Sequence, residues 1–471
     1  MSVPADILDV TDVAALQRAI DEDDPERALA PIGLSRIDVG PSAIAGLPGI
    51  VSGLARGGPV AVLMDATPMR RNGDDLKALA QAMLADAGVT EHRLGEAGRL
   101  LAADDAAIAQ ARAASAGAGC VVAVGSGTIT DIAKQAVSLP HGPPLVVVQT
   151  AASVNAFSDD MAVVLRSGVK RTVPSRWPDA LVIDLEVLAA APPAMNLAGY
   201  GDLLAAWTAP ADWRLAALAG MDDTYHPAPV RLLRGPAERL LRDAPLVAAG
   251  TAAGLESLAG ALTLSGIALG VARTTAPLSG TEHLISHLLD LRLKLAHRPI
   301  GLHGAQVGLA SVLAAILWSL VLEDFDAASL ASSTPPSDEQ VASDVHRAFG
   351  PADPSGAVAV ECARDCLAKL ARWHEGRVAL AARWDAHRAE LAEALLPAEE
   401  LVEALRAAGA VASFGDLDPP LGIEDVRWAL ERLPLMRNRF TVADLLYYGG
   451  RWNGDCVDLV LERARELGVV A

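Results

Sequence analysis

Short apolar runs alternate with amphipathic segments over the N-terminal part of the chain. The runs are PVAVLMD (59–65), CVVAV (120–124), PLVVV (144–148) and LVID (181–184), and their apolar character predicts buried strands. Residues 74–87, 106–117 and 129–138 have the periodicity of helices. Strands that alternate with helices of this length predict a parallel sheet with right-handed crossovers.

From about Leu185 to the C-terminus helical periodicity dominates. We therefore predict an α/β N-terminal domain with a parallel sheet over residues 1–184, and an all-α C-terminal domain over residues 185–471. Residues 251–272 form the most apolar window, and they include Glu256. Because a membrane span rarely carries an unpaired carboxylate, this window predicts a helix buried in protein.

Composition excludes several kinds of partner. The 471 residues carry a formal charge of −19, which argues against nucleic acid and against a polybasic membrane contact. Cys362 and Cys366 lack a second cysteine pair or an adjacent histidine that would complete a zinc site, and nothing in the four cysteines suggests a disulfide framework. The N-terminus has neither a basic segment nor a long apolar core, so we expect no signal peptide and a cytoplasmic location.

Three histidines lie close together in the sequence of the helical part. His283 and His287 are four residues apart and share one face of a predicted helix, and His303 opens the next apolar segment. Neutral imidazole is the commonest transition-metal ligand, so these side chains can converge on one ion. Asp202, in the first turn of another predicted helix, can supply an oxygen ligand. The alternatives are polar residues at helix edges and simple compensation of a helix dipole.

A glycine-containing turn follows the second strong strand. The strand ends in Gly125, Ser126 and Gly127, and a helix starts at once. Free N–H groups at a helix N-terminus favour an anion such as a pyrophosphate. The pattern is neither the Rossmann nor the P-loop motif, so an ordinary strand-to-helix turn remains an equal alternative. Residues 149–158 follow the third strand, and their small polar side chains could line a bound phosphate or nicotinamide. Alternatively, they form an ordinary N-cap loop.

Together these segments resemble a known superfamily. The segments that carry the resemblance are GSGTITDIAK (125–134), TAASVNAFS (150–158), KRTVPSRWPD (170–179), GYGDLLA (199–205), ADWRLA (211–216), SGTEHLISH (279–287), LHGAQVG (302–308) and LMRNRFTVADLL (435–446). They resemble the metal-dependent dehydrogenases related to dehydroquinate synthase and glycerol dehydrogenase, and most closely the sn-glycerol-1-phosphate dehydrogenases.

The resemblance implies NAD or NADP held by the α/β domain and one divalent metal (Zn, Fe or Ni) held by the helical domain. It implies that Asp202, His283 and His303 bind the metal, and that His287 aids proton transfer. The implied cofactor residues are Asp65, Gly125, Ser126, Gly127, Asp131, Thr150 and Ser153. A carboxylate at Asp65 would favour NAD over NADP.

The chain departs from this superfamily's pattern at two positions. Ala206 stands where the family often carries a lysine, which weakens the case for a phosphorylated substrate unless Arg214 or Lys170 takes that role. Asn155 stands where many relatives have a substrate-side aspartate, so we place it at the catalytic site as an amide. Lys170, in KRTVPSR, is expected to contact a cofactor phosphate or to mark an exposed strand edge.

Three functions remain open. The first is an NAD(P)-dependent oxidoreductase for a small polyol or its phosphate, most simply glycerol 1-phosphate and dihydroxyacetone phosphate. The second is a non-redox lyase or cyclase that uses NAD transiently, and the third is a non-catalytic binding protein. Asp202 and the scarcity of lysine argue against the second, and the intact histidines argue against the third. We expect a small-molecule substrate and a homo-oligomer, a dimer or larger.

Overall fold

The structure is a computed structural model that describes residues 9–96, 101–166, 169–351, 353 and 355–471. The strands are β1 (Arg36–Gly40), β2 (Val60–Met64), β3 (Arg70–Arg71), β4 (Asp74–Asp75), β5 (Val89–Arg93), β6 (Cys120–Gly125), β7 (Leu145–Gln149), β8 (Met161–Arg166), β9 (Val169–Pro174) and β10 (Ala180–Asp184). The sequence also predicts a hairpin over residues 161–173, and its turn, at Ser167 and Gly168, lies outside the described residues.

Helices occupy most of the remaining described chain. They are α1 (Val13–Asp23), α2 (Leu47–Leu54), α3 (Leu76–Leu84), α4 (Asp105–Ala114), α5 (Gly127–Val137), α6 (Leu185–Ala190), α7 (Pro193–Leu203), α8 (Ala209–Leu218), α9 (Pro227–Arg242), α10 (Ala244–Ala248), α11 (Ala252–Ala272), α12 (Thr281–Leu295), α13 (His303–Asp324), α14 (Ala327–Ser332), α15 (Asp338–Phe349), α16 (Ala357–Glu393), α17 (Ala398–Ala407), α18 (Ile423–Arg432), α19 (Val442–Tyr448) and α20 (Gly454–Glu466).

Six strands form one sheet in the order β1-β10-β7-β6-β2-β5, and every neighbouring pair is parallel. The chain runs from β2 to β5 on one side and then to β6 on the other side of β2. The direction of winding therefore reverses between β2 and β6, which is where open parallel sheets bind ligands. The predicted α/β fold with a largely helical C-terminal part is confirmed.

Burial explains which strands the sequence predicted. All residues of β2, β6, β7 and β10 are buried, so each appears as a continuous apolar run. Strands β1 and β5 were missed. They form the two edges of the sheet, and β5 (VTEHR) has no buried residue. An edge strand packs against fewer neighbours, so its sequence carries less hydrophobic signal.

The chain divides into two compact units. The first comprises Met1–Tyr200 and Pro227–Thr274, and it contains the sheet together with α9, α10 and α11. The second comprises Gly201–His226 and Thr275–Ala471 and is helical. These units are defined by contacts and not by function, so the functional domains 1–184 and 185–471 stay a prediction.

Among the described residues, two helices are long and apolar enough to cross a membrane by length and composition alone. They are α11 and α13, and 83% and 78% of their most apolar windows are buried inside the protein. Such burial is typical of core helices in a folded domain. The prediction that residues 251–272 form a buried helix is confirmed, and Glu256 lies on the exposed side.

Candidate functional site

Asp202 reaches its position through a close contact, within the second unit, between the C-terminal end of α7 and α13. The prediction that Asp202 lies in the first turn of a helix is wrong, because it is the penultimate residue of α7; the residue before it, Gly201, lies against the backbone of α13. A Cβ on Gly308 would lie 2.9 Å from the Cα of Gly201, and a Cβ on Gly201 would overlap the carbonyl oxygen of Gly304. Glycines on both helices therefore permit backbone contact beside the first turn of α13.

Three of the predicted ligands converge at this crossing. Asp202 Oδ1 lies 3.6 Å from Nε2 of His283 and 3.9 Å from Nε2 of His303. The three candidate ligand atoms all lie within 4.8 Å of one another. In the described part of the chain, no other group of histidine, cysteine or acidic side chains has this arrangement.

The donor set fits a divalent transition metal. Asp202 is 3% exposed, yet its Oδ1 has no hydrogen-bond partner among the described residues. A buried carboxylate oxygen is costly unless something compensates it. Zinc-type bonds to His and Asp are about 2.0–2.2 Å long, which separates ligand atoms by roughly 3.3–3.6 Å in a tetrahedral site. The two separations from Asp202 Oδ1, 3.6 and 3.9 Å, are close to this value.

Hydrogen bonds with neighbouring side chains determine which ring nitrogen of each histidine faces Asp202. His283 Nδ1 donates to Glu282 Oε1 at 3.0 Å. His303 Nδ1 lies 3.1 Å from Ser286 Oγ, which itself donates to Gln306 Oε1 at 2.9 Å. In each ring the proton is therefore held on Nδ1, which leaves Nε2 as the nitrogen able to bind a metal.

Buried carboxylates hold the start of α12, on which His283 lies. Asp212 accepts hydrogen bonds from the backbone N–H of Thr281 at 2.7 Å and of Val442 at 2.9 Å. Glu282 accepts from Gly280 N at 2.5 Å and from Thr208 Oγ1 at 2.8 Å. Burial, reinforced by the charge of Glu282, raises the pKa of Asp212 to about 7.

The charge around His283 also favours a cation. Burial by itself lowers the pKa of this imidazole, but the carboxylates of Asp202 and Glu282 outweigh burial and raise the pKa to about 9. The same negative surroundings that favour a proton favour a metal ion. A metal must compete with that proton, because only the neutral ring nitrogen coordinates.

His287 lies beside the three ligands but outside their set. Its ring is nearly parallel to that of His303, with centroids 5.6 Å apart, and is 6.4 Å from that of His283. It is half-buried. Its predicted part in proton transfer stays a prediction, and its position next to the candidate ligands is compatible with it.

The glycine turn lies in the first unit, at the carboxyl end of β6. Ser126 is the N-cap of α5, and Gly127 is the first helical residue. A Cβ on Gly125 would lie 2.5 Å from Ile129 Cβ, and one on Gly127 would lie 2.8 Å from Val154 Cγ2. The turn therefore needs glycine for packing, and it presents the N–H groups of α5 beside the point where the sheet reverses its winding.

The other predicted cofactor residues occupy varied settings in the first unit. Thr150 and Ser153 are buried, and Thr150 N donates to Gly125 O at 3.2 Å, which links residues 150–153 to the glycine turn. Asp65 follows β2; its Oδ1 pairs with buried Lys77 Nζ at 3.0 Å. Lys170 lies in β9, but its side chain is outside the described part of the structure.

Asp131 is buried in the second turn of α5 and does not line the turn itself. Burial raises the pKa of Asp131 to about 8; nearby Lys134 opposes this and Asp159 adds to it. Lys134 is wholly buried and donates to Asp159 and to Ala156 O. The predicted contact of Asp131 with a cofactor phosphate stays a prediction.

The structure also describes two residues that the sequence suggested could contact the substrate. Asn155 is half-buried, and its carbonyl accepts from Ser158 N at 3.3 Å. Arg214 is engaged within the second unit, since its Nε donates to Glu390 at 2.7 Å and its guanidinium lies over the ring of Tyr225. Arg214 therefore already has a carboxylate partner, which weakens its case as a replacement for the missing lysine at Ala206.

Comparison with known proteins points to one family. The model of the iron-containing alcohol dehydrogenases matches residues 38–192. One relative is the NAD(P)+-dependent glycerol-1-phosphate dehydrogenase, so named, of Bacillus licheniformis. It is 32% identical over 284 residues, which are 60% of this chain and 70% of that protein. The enzyme of the same name from Bacillus subtilis is 37% identical over 194 residues, 41% of this chain and 48% of that protein. The chain thus spans about half the length of the latter relative.

Solved structures with the same fold include a probable glycerol dehydrogenase of Sinorhizobium meliloti, with a TM-score of 0.58 at 19% identity over 93% of this chain and 98% of that one. The glycerol dehydrogenase of Schizosaccharomyces pombe gives a TM-score of 0.55 at 15% identity over 92% of both chains. At this level of identity the likeness shows the fold alone.

Proposed function

We propose that this chain, which belongs to the glycerol-1-phosphate dehydrogenase family, is a metal-dependent oxidoreductase that interconverts glycerol 1-phosphate and dihydroxyacetone phosphate with NAD(P). The convergence of Asp202, His283 and His303 carries the proposal. It places an acidic oxygen and two oriented imidazole nitrogens around one point, which suits a Lewis-acid metal with a remaining position for substrate.

The three ligands would hold one divalent ion, with iron, zinc and nickel all compatible with the donor set. When bound, that ion would polarise the substrate carbonyl, and NAD(P)H would supply the hydride. Glu282 and Ser286 keep the rings of His283 and His303 oriented for binding, through the hydrogen bonds at 3.0 and 3.1 Å.

The other residues have proposed parts in binding and proton transfer. His287 would give a proton to the substrate oxygen when the carbonyl is reduced, and take it back in the reverse direction. The N–H groups of the turn at Gly125–Gly127 would bind the cofactor pyrophosphate, and Thr150 and Ser153 would line the cofactor. Asn155 can only donate or accept hydrogen bonds, so we assign it substrate orientation rather than base chemistry.

A second candidate substrate is an unphosphorylated polyol. Ala206 is 6% exposed and offers no charge, and Arg214 is bridged to Glu390. A substrate panel separates the two possibilities. NADH consumption with dihydroxyacetone phosphate, and little with dihydroxyacetone at equal concentration, supports the phosphate; the opposite preference supports the polyol.

The central experiment combines metal analysis with this assay. The purified protein should hold about one divalent ion per chain when Asp202, His283 and His303 act as one site. His283→Ala should lose both the ion and NADH consumption, while His287→Ala should retain the ion and lose only turnover. Full metal retention by His283→Ala would refute the assignment. Turnover of a sugar phosphate with no net NADH change would indicate a lyase or cyclase instead.

The choice between NADH and NADPH is tested separately. Asp65 lies at the end of β2, where a carboxylate would repel a 2′-phosphate, so we propose a preference for NADH. In Asp65→Asn the one remaining oxygen can take the place of Oδ1, which accepts from Thr67 N and Lys77 Nζ, while the bond from Thr67 Oγ1 to Oδ2 loses its acceptor; Lys77 keeps its bonds to the carbonyls of Asp65 and Thr67. This variant should therefore fold normally and shift the ratio of KM values towards NADPH.

A further inference from the structure

The longest helix has an exposed stripe that is complementary to itself. Helix α16 buries one face in the second unit through residues such as Cys366, Trp373 and Leu380. On the opposite face, Val360 and Val378 are 74% and 51% exposed, the two most exposed large apolar side chains among the described residues. They are five helical turns apart and so point in the same direction.

The residues between these valines complete a continuous line, which we call the outer stripe. It comprises Val360, Arg364, Ala368, Ala371, Glu375 and Val378. Their spacing of three or four residues is that of a coiled-coil seam. Small residues at the centre would let a second helix approach closely.

The outer stripe is symmetric about a point between Lys369 and Leu370. Ala368 and Ala371, Arg364 and Glu375, and Val360 and Val378 form three pairs, and the members of each lie about equally far from that point. When two such stripes meet in antiparallel orientation, each alanine faces alanine and each valine faces valine. Each arginine then faces a glutamate, and this ion pair occurs twice.

We propose that a second copy of this chain packs against the outer stripe across a two-fold axis. A two-fold contact requires one patch to complement itself, which this stripe does and an arbitrary exposed helix face does not. A parallel arrangement would instead place Arg364 against the partner's Arg364. The exposed side chain of Arg364 contacts only its neighbour Asp365 among the ion pairs seen, so it can reach across the axis.

Charge exchange tests this contact without removing apolar surface. Glu375→Arg places arginine opposite the partner's Arg364 at both ends, and Arg364→Glu places glutamate opposite the partner's Glu375. Each single substitution should raise the dimer dissociation constant by roughly tenfold or more, since attraction is replaced by repulsion twice. The double variant Arg364→Glu/Glu375→Arg should restore it.

The measurement is the mass of the full chain by sedimentation equilibrium over a concentration series, with far-UV circular dichroism to verify folding. The wild type should associate to twice the chain mass of 48.7 kDa. Glu400→Arg, the same charge change at an exposed position on α17, is the matched control and should not alter association. A wild type that stays at the mass of one chain overturns the proposal, as does unchanged association in the Glu375→Arg variant or failure of the double variant to regain it.

Discussion

The crossing of α7 and α13 can be tested by adding one methyl group. In Gly201→Ala the new Cβ would approach the carbonyl oxygen of Gly304 more closely than 3.0 Å, a distance that real Cβ contacts essentially never show. Both contacting groups are backbone, so no side chain can rotate away. The two helices must separate, and Asp202, the next residue, must move away from His303.

Overpacking of this kind costs about 1–3 kcal/mol of unfolding free energy. A displaced carboxylate also weakens the metal site, and disturbance of groups that orient ligands typically lowers metal affinity by roughly 10–100-fold. We therefore expect Gly201→Ala to unfold at lower urea concentration and to bind zinc more weakly, with both effects in the same variant.

The assay is urea unfolding followed by circular dichroism, together with equilibrium dialysis against buffered zinc. Gly49→Ala is the matched control, because Gly49 lies on the exposed side of α2 with no atom within 4 Å of its added Cβ. That change should stabilise the chain by about 0.5–1 kcal/mol and leave metal binding unaltered. If Gly201→Ala retains the stability and the zinc affinity of the wild type, the close crossing is refuted. Lost stability with unchanged affinity would show that the crossing does not position Asp202.

Three further substitutions test other parts of the structure. Asp131→Asn should flatten the pH dependence of the unfolding free energy. The folded carboxyl keeps its proton from pH 3.8 to about pH 8, so wild-type stability falls as pH rises through that window, by at most about 1.4 kcal/mol per pH unit. Equal slopes for wild type and variant in urea titrations would contradict this. Arg214→Ala should cost about 0.5–1 kcal/mol through loss of the Glu390 bridge and leave the KM for dihydroxyacetone phosphate unchanged; a large rise in KM would mean that Arg214 binds the phosphate. Lys369→Met should cost about 3–5 kcal/mol in urea unfolding, because buried Asp444 loses its charge partner; a small loss would show that Asp444 is compensated otherwise.

Local sequence was sufficient for much of the first unit. The buried strands β2, β6, β7 and β10 were predicted close to their observed bounds, because burial on both faces makes each an uninterrupted apolar run. The glycine turn was also found, since a strand that ends in two closely spaced glycines before a helix leaves few alternatives. The edge strands β1 and β5 were not predicted, because polar edge positions leave no periodic signal.

The side chains that support the candidate ligands could not be identified from spacing. Ser286 and Gln306 lie three residues after His283 and His303 on their helices, a spacing that by itself indicates only a shared face. Asp212 belongs to the segment ADWRLA, but nothing local indicates that its carboxylate caps two distant helices at Thr281 and Val442. These contacts join residues far apart in the sequence.

The sequence by itself determined the class of fold, the strand-to-helix turn able to face an anion, and a short list of candidate metal ligands. Only the tertiary structure decided that Asp202 meets His283 and His303 while His287 stays beside them. Periodicity reports which face of an element is buried. Where two helices cross depends on backbone contact at residues such as Gly201 and Gly308, and that crossing brings the ligands together.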